Sequence, residues 1–310
     1  MTAAGGHNRD MTNDSIAPRI VVGVDGSDPS NAALRWAAYE ARRRNASVLV
    51  VSCYAVPVYG SPEGAVYPTH EDIDLYKDGA AAVIGRATEL VGEIDPKLEV
   101  DAVSDMAAAA ETIAEAARPG DEIVVGATGH GHFMEGLLGS VSMSLVHRSH
   151  VPVVVVPAKP VAEIGASMHK IVVGVDGSPG SLHALEWAYS EALLTGAELT
   201  AVHGWIYPYD GARTSVSEPR TQMQLDAMEE LKRSLESLGL RLTSGSVHVH
   251  AKLVEHSPAE ALLEESQDAD LVVVGSRGRG ALRASLLGSV SRTVAQHAVC
   301  PIVIIRQPES

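Results

Sequence analysis

The stretch IVVGVDGS occurs twice in the chain, at residues 20–27 and again at residues 171–178. A second string, LLGSVS, occurs at residues 137–142 and 286–291. The two pairs are separated by 151 residues (171 − 20) and 149 residues (286 − 137), so the register changes little along the chain. The chain is therefore a tandem duplication of one unit of about 145 residues, and such a repeat must be identified before a fold is assigned.

Each unit alternates short apolar runs rich in valine and isoleucine with longer helical patterns. The apolar runs are continuous, which is typical of strands buried on both faces of a parallel sheet. Strands that alternate with helices predict right-handed crossovers and helices on both faces of the sheet, so the fold class is α/β. We expect strands near residues 19–25, 47–54, 97–103, 121–126 and 152–156, and near 169–176, 197–204, 246–253, 270–275 and 301–306.

Two dipeptides mark the start of the first helix in each unit. Asp28-Pro29 and Ser178-Pro179 each combine a residue that caps helix N-termini with a proline suited to the first helical position. Irregular segments near 55–70 and 205–218 are longer than most connections, which makes them candidate lids.

The composition excludes several classes of protein. With 24 Lys and Arg against 39 Asp and Glu, the 310-residue chain has a net charge of −15, which disfavours nucleic acid as a main partner. No stretch approaches the roughly 20 apolar residues of a membrane span, and the N-terminus lacks an apolar signal core. Two cysteines are too few for a disulfide framework. We therefore expect a cytoplasmic protein with a disordered tail at 1–18, domains at 19–157 and 169–310, and a linker at 158–168.

A glycine pattern follows the fourth predicted strand of each unit. Residues 126–142 read GATGHGHFMEGLLGSVS and residues 275–291 read GSRGRGALRASLLGSVS, so both fit G-x2-G-x9-G-S. Backbone N–H groups of glycine can approach phosphate closely, and the helix predicted at each Gly-Ser pair adds N–H groups that favour an anion. The alternative is that these glycines only form turns, but two copies with one spacing favour a phosphate site. The candidate binding residues are Gly126, Gly129, Gly139, Ser140, Gly275, Gly278, Gly288 and Ser289.

The first strand of each unit ends in an aspartate, Asp25 or Asp176. Ligands of open α/β sheets bind beyond the carboxyl ends of the strands, where the strand order reverses. If the first and fourth strands are neighbours there, each aspartate faces a glycine loop and suits a ribose hydroxyl or a phosphate-bound metal ion. The alternative role is to cap the following turn. Neither the P-loop pattern G-x4-G-K-[ST] nor the dinucleotide fingerprint G-x-G-x-x-G occurs at the first turn.

The combination of VGVDGS with the paired glycine motifs resembles the ATP-binding branch of the universal stress proteins, in tandem form, over about residues 19–157 and 169–306. The alanine-rich sequence and the HGW at 203–205 resemble actinobacterial members. The resemblance implies two Rossmann-like domains, each a five-stranded parallel sheet in the order 3-2-1-4-5 with helices on both faces. It also implies a bound adenine nucleotide, usually ATP, with Mg²⁺.

The resemblance assigns roles to residues at matching positions. Asp25 and Asp176 would meet the ribose or the phosphate-bound metal, and the backbones of Cys53 and Gly204 would meet adenine. The glycine loops would hold the ribose and phosphates together with Ser140, Val141, Ser289 and Val290. Members of the family often pair through the last strand, so 153–156 and 302–305 are expected to join the two halves, and a homodimer is a further possibility.

The two glycine loops differ in charge. The second carries Arg277, Arg279 and Arg283, whereas the first carries His130, His132 and Glu135. Since a triphosphate is strongly anionic, the second site is expected to hold it better, unless the arginines are solvated surface groups. Two histidines that flank a glycine in a loop are more often solvated than bound to a metal, so no metal site is predicted for them.

Three functions remain open at this point. The leading one is a nucleotide-binding regulatory protein whose ATP-bound and free forms differ in partners or assembly. The second is a slow ATPase or a self-phosphorylating enzyme, although neither site has an obvious catalytic base. The third is a cyclic-nucleotide sensor, because some members of the family bind cAMP and a singly charged ligand suits the first loop.

Overall fold

The computed structural model describes residues 18–57, 59–61, 64–129, 138–157, 165–207, 219–239, 247–279 and 287–307. Residues 1–17 of the predicted tail, most of the linker and parts of both candidate lids lie outside these ranges, as do His130, His132, Glu135 and Arg283. The strands are β1 Arg19–Gly23, β2 Ser47–Cys53, β3 Tyr59–Ser61, β4 Gly64–Val66, β5 Val100–Asp105, β6 Glu122–Gly126, β7 Val153–Val156, β8 Lys170–Gly174, β9 Glu198–Gly204, β10 Val249–Val254, β11 Leu271–Gly275 and β12 Ile302–Ile305. The helices are α1 Asp28–Arg44, α2 His70–Ile94, α3 Ala109–Ala116, α4 Ser140–Arg148, α5 Pro179–Thr195, α6 Arg220–Glu236, α7 Pro258–Glu265 and α8 Ser289–His297.

Ten of these strands form one sheet in the order β10-β9-β8-β11-β12-β7-β6-β1-β2-β5. Within each half, all strand pairs of this sheet are parallel, and helices cover both of its faces, so the predicted α/β class is confirmed. The halves meet where β7 and β12 pair antiparallel, with Val154 opposite Val303. As a result, the strands of the two halves run in opposite directions, and their carboxyl ends lie at opposite ends of the sheet along the strand direction.

The apolar strands of the sequence lie between two helix layers. Every residue of β6, β7 and β12 is buried, as expected for strands covered on both faces. Buried residues of α1, α2, α5 and α6 form one apolar layer, and those of α3, α4, α7 and α8 form the other. The helices therefore fix the ends of the central strands, where the aspartates and glycine loops lie.

The boundaries of several elements differ from the sequence prediction. The N-cap of α1 is Ser27 rather than Asp28, because the Ser27 hydroxyl accepts the backbone N–H of Ser30 and Asp28 becomes the first helical residue. The third long strand of the first half begins only at Val100, because Asp95 accepts the backbone N–H of Lys97 and turns the chain there. The candidate lid near 55–70 contains the short antiparallel pair β3–β4. No described helix is both long and apolar enough to cross a bilayer.

A buried cluster of charges joins α1 to α5 at the junction of the halves. Arg43 and Arg44 pair with Glu40, and Arg44 also pairs with Glu191 of the second half. Arg44 Nη2 lies 3.9 Å from Oε2 of Glu122. Burial, together with the nearby Glu40 carboxylate, raises the pKa of Glu191 to about 7 and raises the pKa of Glu122 well above its ordinary value. Three carboxyl groups thus share two guanidinium groups in this cluster.

Candidate functional site

A cavity of about 230 Å³ lies beyond the carboxyl ends of β1, β2 and β6 in the first half. It sits where the strand order reverses between β1 and β6, the position at which open α/β sheets bind ligands. Every residue predicted for the first site lines this cavity, namely Asp25, Cys53, Gly126, Gly129, Gly139, Ser140 and Val141. The structure therefore brings together residues that are more than a hundred positions apart in the sequence.

The second half has a larger cavity of about 600 Å³ at the corresponding ends of β8, β9 and β11. Its volume is within the range of about 300–1,000 Å³ that is usual for small-molecule sites. Every residue predicted for the second site lines it, namely Asp176, Gly204, Gly275, Arg277, Gly278, Gly288, Ser289 and Val290. The duplicated motifs thus produce two cavities. Each lies at the carboxyl ends of the central strands of its half, and the two cavities lie on opposite sides of the ten-stranded sheet along the strand direction.

Each aspartate shapes the turn that follows its strand. Oδ1 of Asp25 accepts the backbone N–H of Ser27 at 3.0 Å, and Oδ1 of Asp176 accepts that of Ser178 at 3.0 Å. The intervening residues, Gly26 and Gly177, have φ angles of 84° and 73°, which favour glycine. The turn-capping role therefore exists, and it uses only one carboxylate oxygen.

The other oxygen of each aspartate faces the glycine loop. Oδ2 of Asp176 accepts the backbone N–H of Arg279 at 3.1 Å, which ties the loop to the end of β8. Burial alone would raise the pKa of Asp176, but the hydrogen bonds from Ser178 and from the Arg279 backbone lower it below its ordinary value. Asp176 is therefore a carboxylate at neutral pH, positioned to meet a hydroxyl group or a cation at the cavity wall.

The glycines of the loops have two distinct roles. A Cβ at Gly129 would lie 2.5 Å from Oδ2 of Asp25, and one at Gly278 would lie 2.4 Å from Oδ2 of Asp176. The first atom that a side chain there would meet is thus the aspartate carboxylate, rather than a phosphate as the motif suggested. Gly126 instead packs against the Pro29 backbone, where a Cβ would lie 2.8 Å from the carbonyl, so its absence of a side chain serves helix packing.

The helices that follow the loops begin at the cavities, and their first residues line the cavity walls. Gly139 and Gly288 are the N-cap residues of α4 and α8, and neither helix has a side-chain cap hydrogen bond. Ser140 and Ser289, the first helical residues, are exposed. Unpaired N–H groups at a helix N-terminus, with the positive end of the helix dipole, suit an anion such as phosphate.

The two sites differ at the end of the second long strand. A Cβ at Gly204 would lie 2.7 Å from Cα of Pro258, so only glycine fits against the first turn of α7. The first half has Cys53 at this position and Ala109 at the start of α3. Burial raises the pKa of the Cys53 thiol, which therefore lines the cavity as a neutral group. The wall expected to meet adenine is thus built differently in the two halves.

Several lining residues were not predicted from the sequence. Ser30 and Ile113 in the first cavity correspond to Ser181 and Leu262 in the second, so a residue-by-residue alignment of the repeats would have found them. His203 has no such signal, and its Nδ1 donates to the carbonyl oxygen of Val175 at 2.8 Å. Arg279, noted in the sequence for its charge, lines the second cavity.

Comparisons with known proteins agree on one family. The family model described as the universal stress protein family matches residues 17–157 and 168–306. A universal stress protein of Mycobacterium tuberculosis is 35% identical over 315 residues, which cover 94% of this chain and 95% of the relative. One from Mycolicibacterium smegmatis is 36% identical over 293 residues, covering 93% and 96%. The crystal structure of a universal stress protein from Archaeoglobus fulgidus has the same fold, with a TM-score of 0.67 and 20% identity over 94% of this chain and 97% of that one.

Proposed function

This chain belongs to the universal stress protein family, and from that premise we propose that it is a cytoplasmic regulatory protein that binds ATP in both halves. ATP binding would act by changing the conformation of the chain or its contacts with a partner. The observation that carries the proposal is the pair of cavities, each lined by an aspartate, a glycine loop and the uncapped N-terminus of a helix. Those groups suit a ribose hydroxyl and a chain of phosphates.

The residues present also suit a Mg²⁺ ion carried by the nucleotide. Among the described residues, no three histidine, cysteine or acidic side chains cluster as a ready-made metal site. Each cavity offers one carboxylate, Asp25 or Asp176, and Mg²⁺ commonly takes one or two carboxylates together with phosphate oxygens and water. We therefore propose that the ion enters with ATP and that the aspartate orients it.

We propose binding rather than rapid turnover as the activity. The carboxylate in each cavity already holds the turn after its strand through Oδ1. Phosphoryl transfer also needs a group that positions the attacking water or hydroxyl and groups that stabilise the developing charge. Purified protein should therefore release phosphate from ATP far more slowly than the median enzyme rate of about 10 per second.

The proposal is tested by identifying the ligand that copurifies with the chain. The protein is purified without added nucleotide and denatured, and the released small molecules are identified by mass spectrometry. ATP near two equivalents per chain, with matching stoichiometry by calorimetry, is the expected result. Release of cAMP alone would favour the sensor function instead, and fast steady-state phosphate release would favour an enzyme.

A further inference from the structure

We propose that Glu230 on α6 is a latch for the second site. In the absence of nucleotide, Glu230 holds the side chain of Arg279, and the phosphate end of the ligand takes Arg279 from it, which releases α6 from the glycine loop. The inference rests on the proposed function, because it assigns the ligand's phosphates as the competing anion.

The contacts place Glu230 directly against the phosphate-binding loop. Its carboxylate forms an ion pair with the guanidinium of Arg279, and its side chain is only 14% exposed. A Cβ at Gly177 would lie 1.7 Å from Oε1 of Glu230, so the carboxylate rests on the glycine of the turn after β8. The second charge near it is Arg233, whose Nη2 lies 3.7 Å from Oε2. Glu230 therefore bridges α6, the β8 turn and the glycine loop.

The position of Arg279 favours competition between Glu230 and a bound phosphate for its guanidinium. Its backbone N–H donates to Asp176 at the cavity wall, and its side chain, which is 56% exposed, reaches Glu230. The N–H donors of the guanidinium that are turned toward Glu230 cannot bind a phosphate at the same time. A polyphosphate in the cavity would also be repelled by the Glu230 carboxylate. A phosphate of the ligand can bind these donors of Arg279 only after the ion pair between Arg279 and Glu230 has broken.

Among the described residues, α2 of the first half has no equivalent of Glu230. The buried residues Ala80, Ala87 and Val91 of the first half match Ala227, Ser234 and Leu238 of the second at a constant offset of 147 residues. The same offset places Val83 of α2 at the position of Glu230. Valine cannot pair with a cation, so the first site has no counterpart of this contact on α2. The duplicated chain thus couples one of its two sites to the helix above it.

Release of α6 would alter an exposed surface. The helix is attached to the sheet through Ala227, Leu231 and Ser234, which are buried. Its outer side exposes 62% of Leu225 and 48% of Met228, close to Glu230 along the helix. Movement of α6 would change how these apolar side chains are presented, and that change is a means of reporting nucleotide binding.

The test compares E230Q with E229Q, which removes the same charge from the neighbouring exposed residue. Both are measured by calorimetry in a G129A background, in which binding to the first site is weakened and the second site is titrated first. We expect E230Q to bind ATP about two- to five-fold more tightly than its parent, as for the loss of one competing partly exposed ion pair. Adenosine, which has no phosphate, should bind E230Q and its parent equally, and E229Q should match the parent for ATP. The gain should vanish when R279Q is added.

Hydrogen exchange over residues 220–236 provides a second readout, and the effect of E230Q on it can be measured without ligand. In the unliganded full-length chain, E230Q should raise exchange in α6, and ATP should raise it in the wild type but not further in E230Q. Equal ATP affinity of E230Q and its parent, with unchanged exchange in α6, would overturn the latch even if the wild type binds ATP. If the wild type binds no ATP, the proposed function fails, while a rise of exchange in unliganded E230Q would still show that Glu230 holds the helix.

Discussion

The aspartate and the second glycine of each loop are matched to one another across the cavity. A Cβ added at Gly278 would lie 2.4 Å from Oδ2 of Asp176, and one added at Gly129 would lie 2.5 Å from Oδ2 of Asp25. Because the same distance recurs in both halves, the contact is a property of the duplicated unit. It also links the loop to the turn after the first strand, so a change at the glycine displaces the carboxylate as well.

Alanine at Gly278 or Gly129 should therefore weaken ATP binding in its own half. The added methyl would push the aspartate or the loop away, and loss of one well-placed polar contact costs about 1–3 kcal/mol, or roughly 5- to 150-fold in affinity. Calorimetric titration of each variant measures the effect.

The control is Gly92→Ala in α2, where an added Cβ meets no atom within 4 Å. It should leave ATP affinity unchanged, since it lies in a helix and only improves helix propensity. Unchanged affinity in both loop variants would remove these glycines from the binding site.

At the scale of elements, most of the predicted strands, helices and loops follow from the internal repeat. The sequence predicts the strand–helix alternation and the two glycine loops, because each pattern occurs twice with nearly the same spacing. The start of β5 differs from the prediction, because a side-chain and a backbone hydrogen bond to Asp95 form a turn just before this strand. Glu230 could not have been predicted, because its contact with Arg279 joins a helix and a loop that are 49 residues apart without a repeated pattern.

The two glycine loops should give the halves different affinities for ATP. Arg277 lines the second cavity, and Thr128 holds the same loop position in the first. Arginine supplies a permanent charge and a fork of donors for phosphate, and a partly exposed pair contributes about 0.2–1 kcal/mol. We expect the second half to bind ATP several-fold more tightly than the first, and added salt to narrow the gap.

The experiment replaces each of these two residues with the residue found at the same loop position of the other half. Arg277→Thr should weaken the second site, and Thr128→Arg should strengthen the first, each read in a chain whose other site carries the glycine-to-alanine change. Titrations at low and high salt separate charge from loop shape. If the exchange leaves both affinities as they were, loop packing rather than charge determines them.

At the scale of the whole molecule, the charge cluster between α1 and α5 ties stability to pH. Glu40 and Glu191 occupy matching positions in the two repeats, but both arginines come from the first half, where the second has Leu194 and Thr195. In the described structure, Oε1 of Glu191 is buried without a hydrogen-bond partner. A proton on this carboxyl group relieves the excess of negative charge.

Stability should therefore fall as the pH rises from about 4.5 to about 7. The folded chain keeps the Glu191 proton up to about pH 7, whereas the unfolded chain releases it near the ordinary value of 4.5. Because the folded state binds more protons in this window, raising the pH favours unfolding, by at most about 1.4 kcal/mol per pH unit for each such group. Denaturant unfolding at a series of pH values measures the slope.

Glu191→Gln should flatten that slope, because glutamine does not titrate. Glu186→Gln on the exposed side of α5 is the matched control and should keep the wild-type slope. If Glu191→Gln and the wild type lost stability equally as the pH rises, the raised pKa of Glu191 would not be the cause of the pH dependence.

The antiparallel pairing of β7 with β12 also sets how the protein responds to dilution. In a dimer of separate subunits, such a central strand pair would dissociate as the protein becomes scarce, and stability would follow concentration. Here both strands belong to one polypeptide, so the pairing is independent of protein abundance. Each molecule therefore carries both cavities at any expression level.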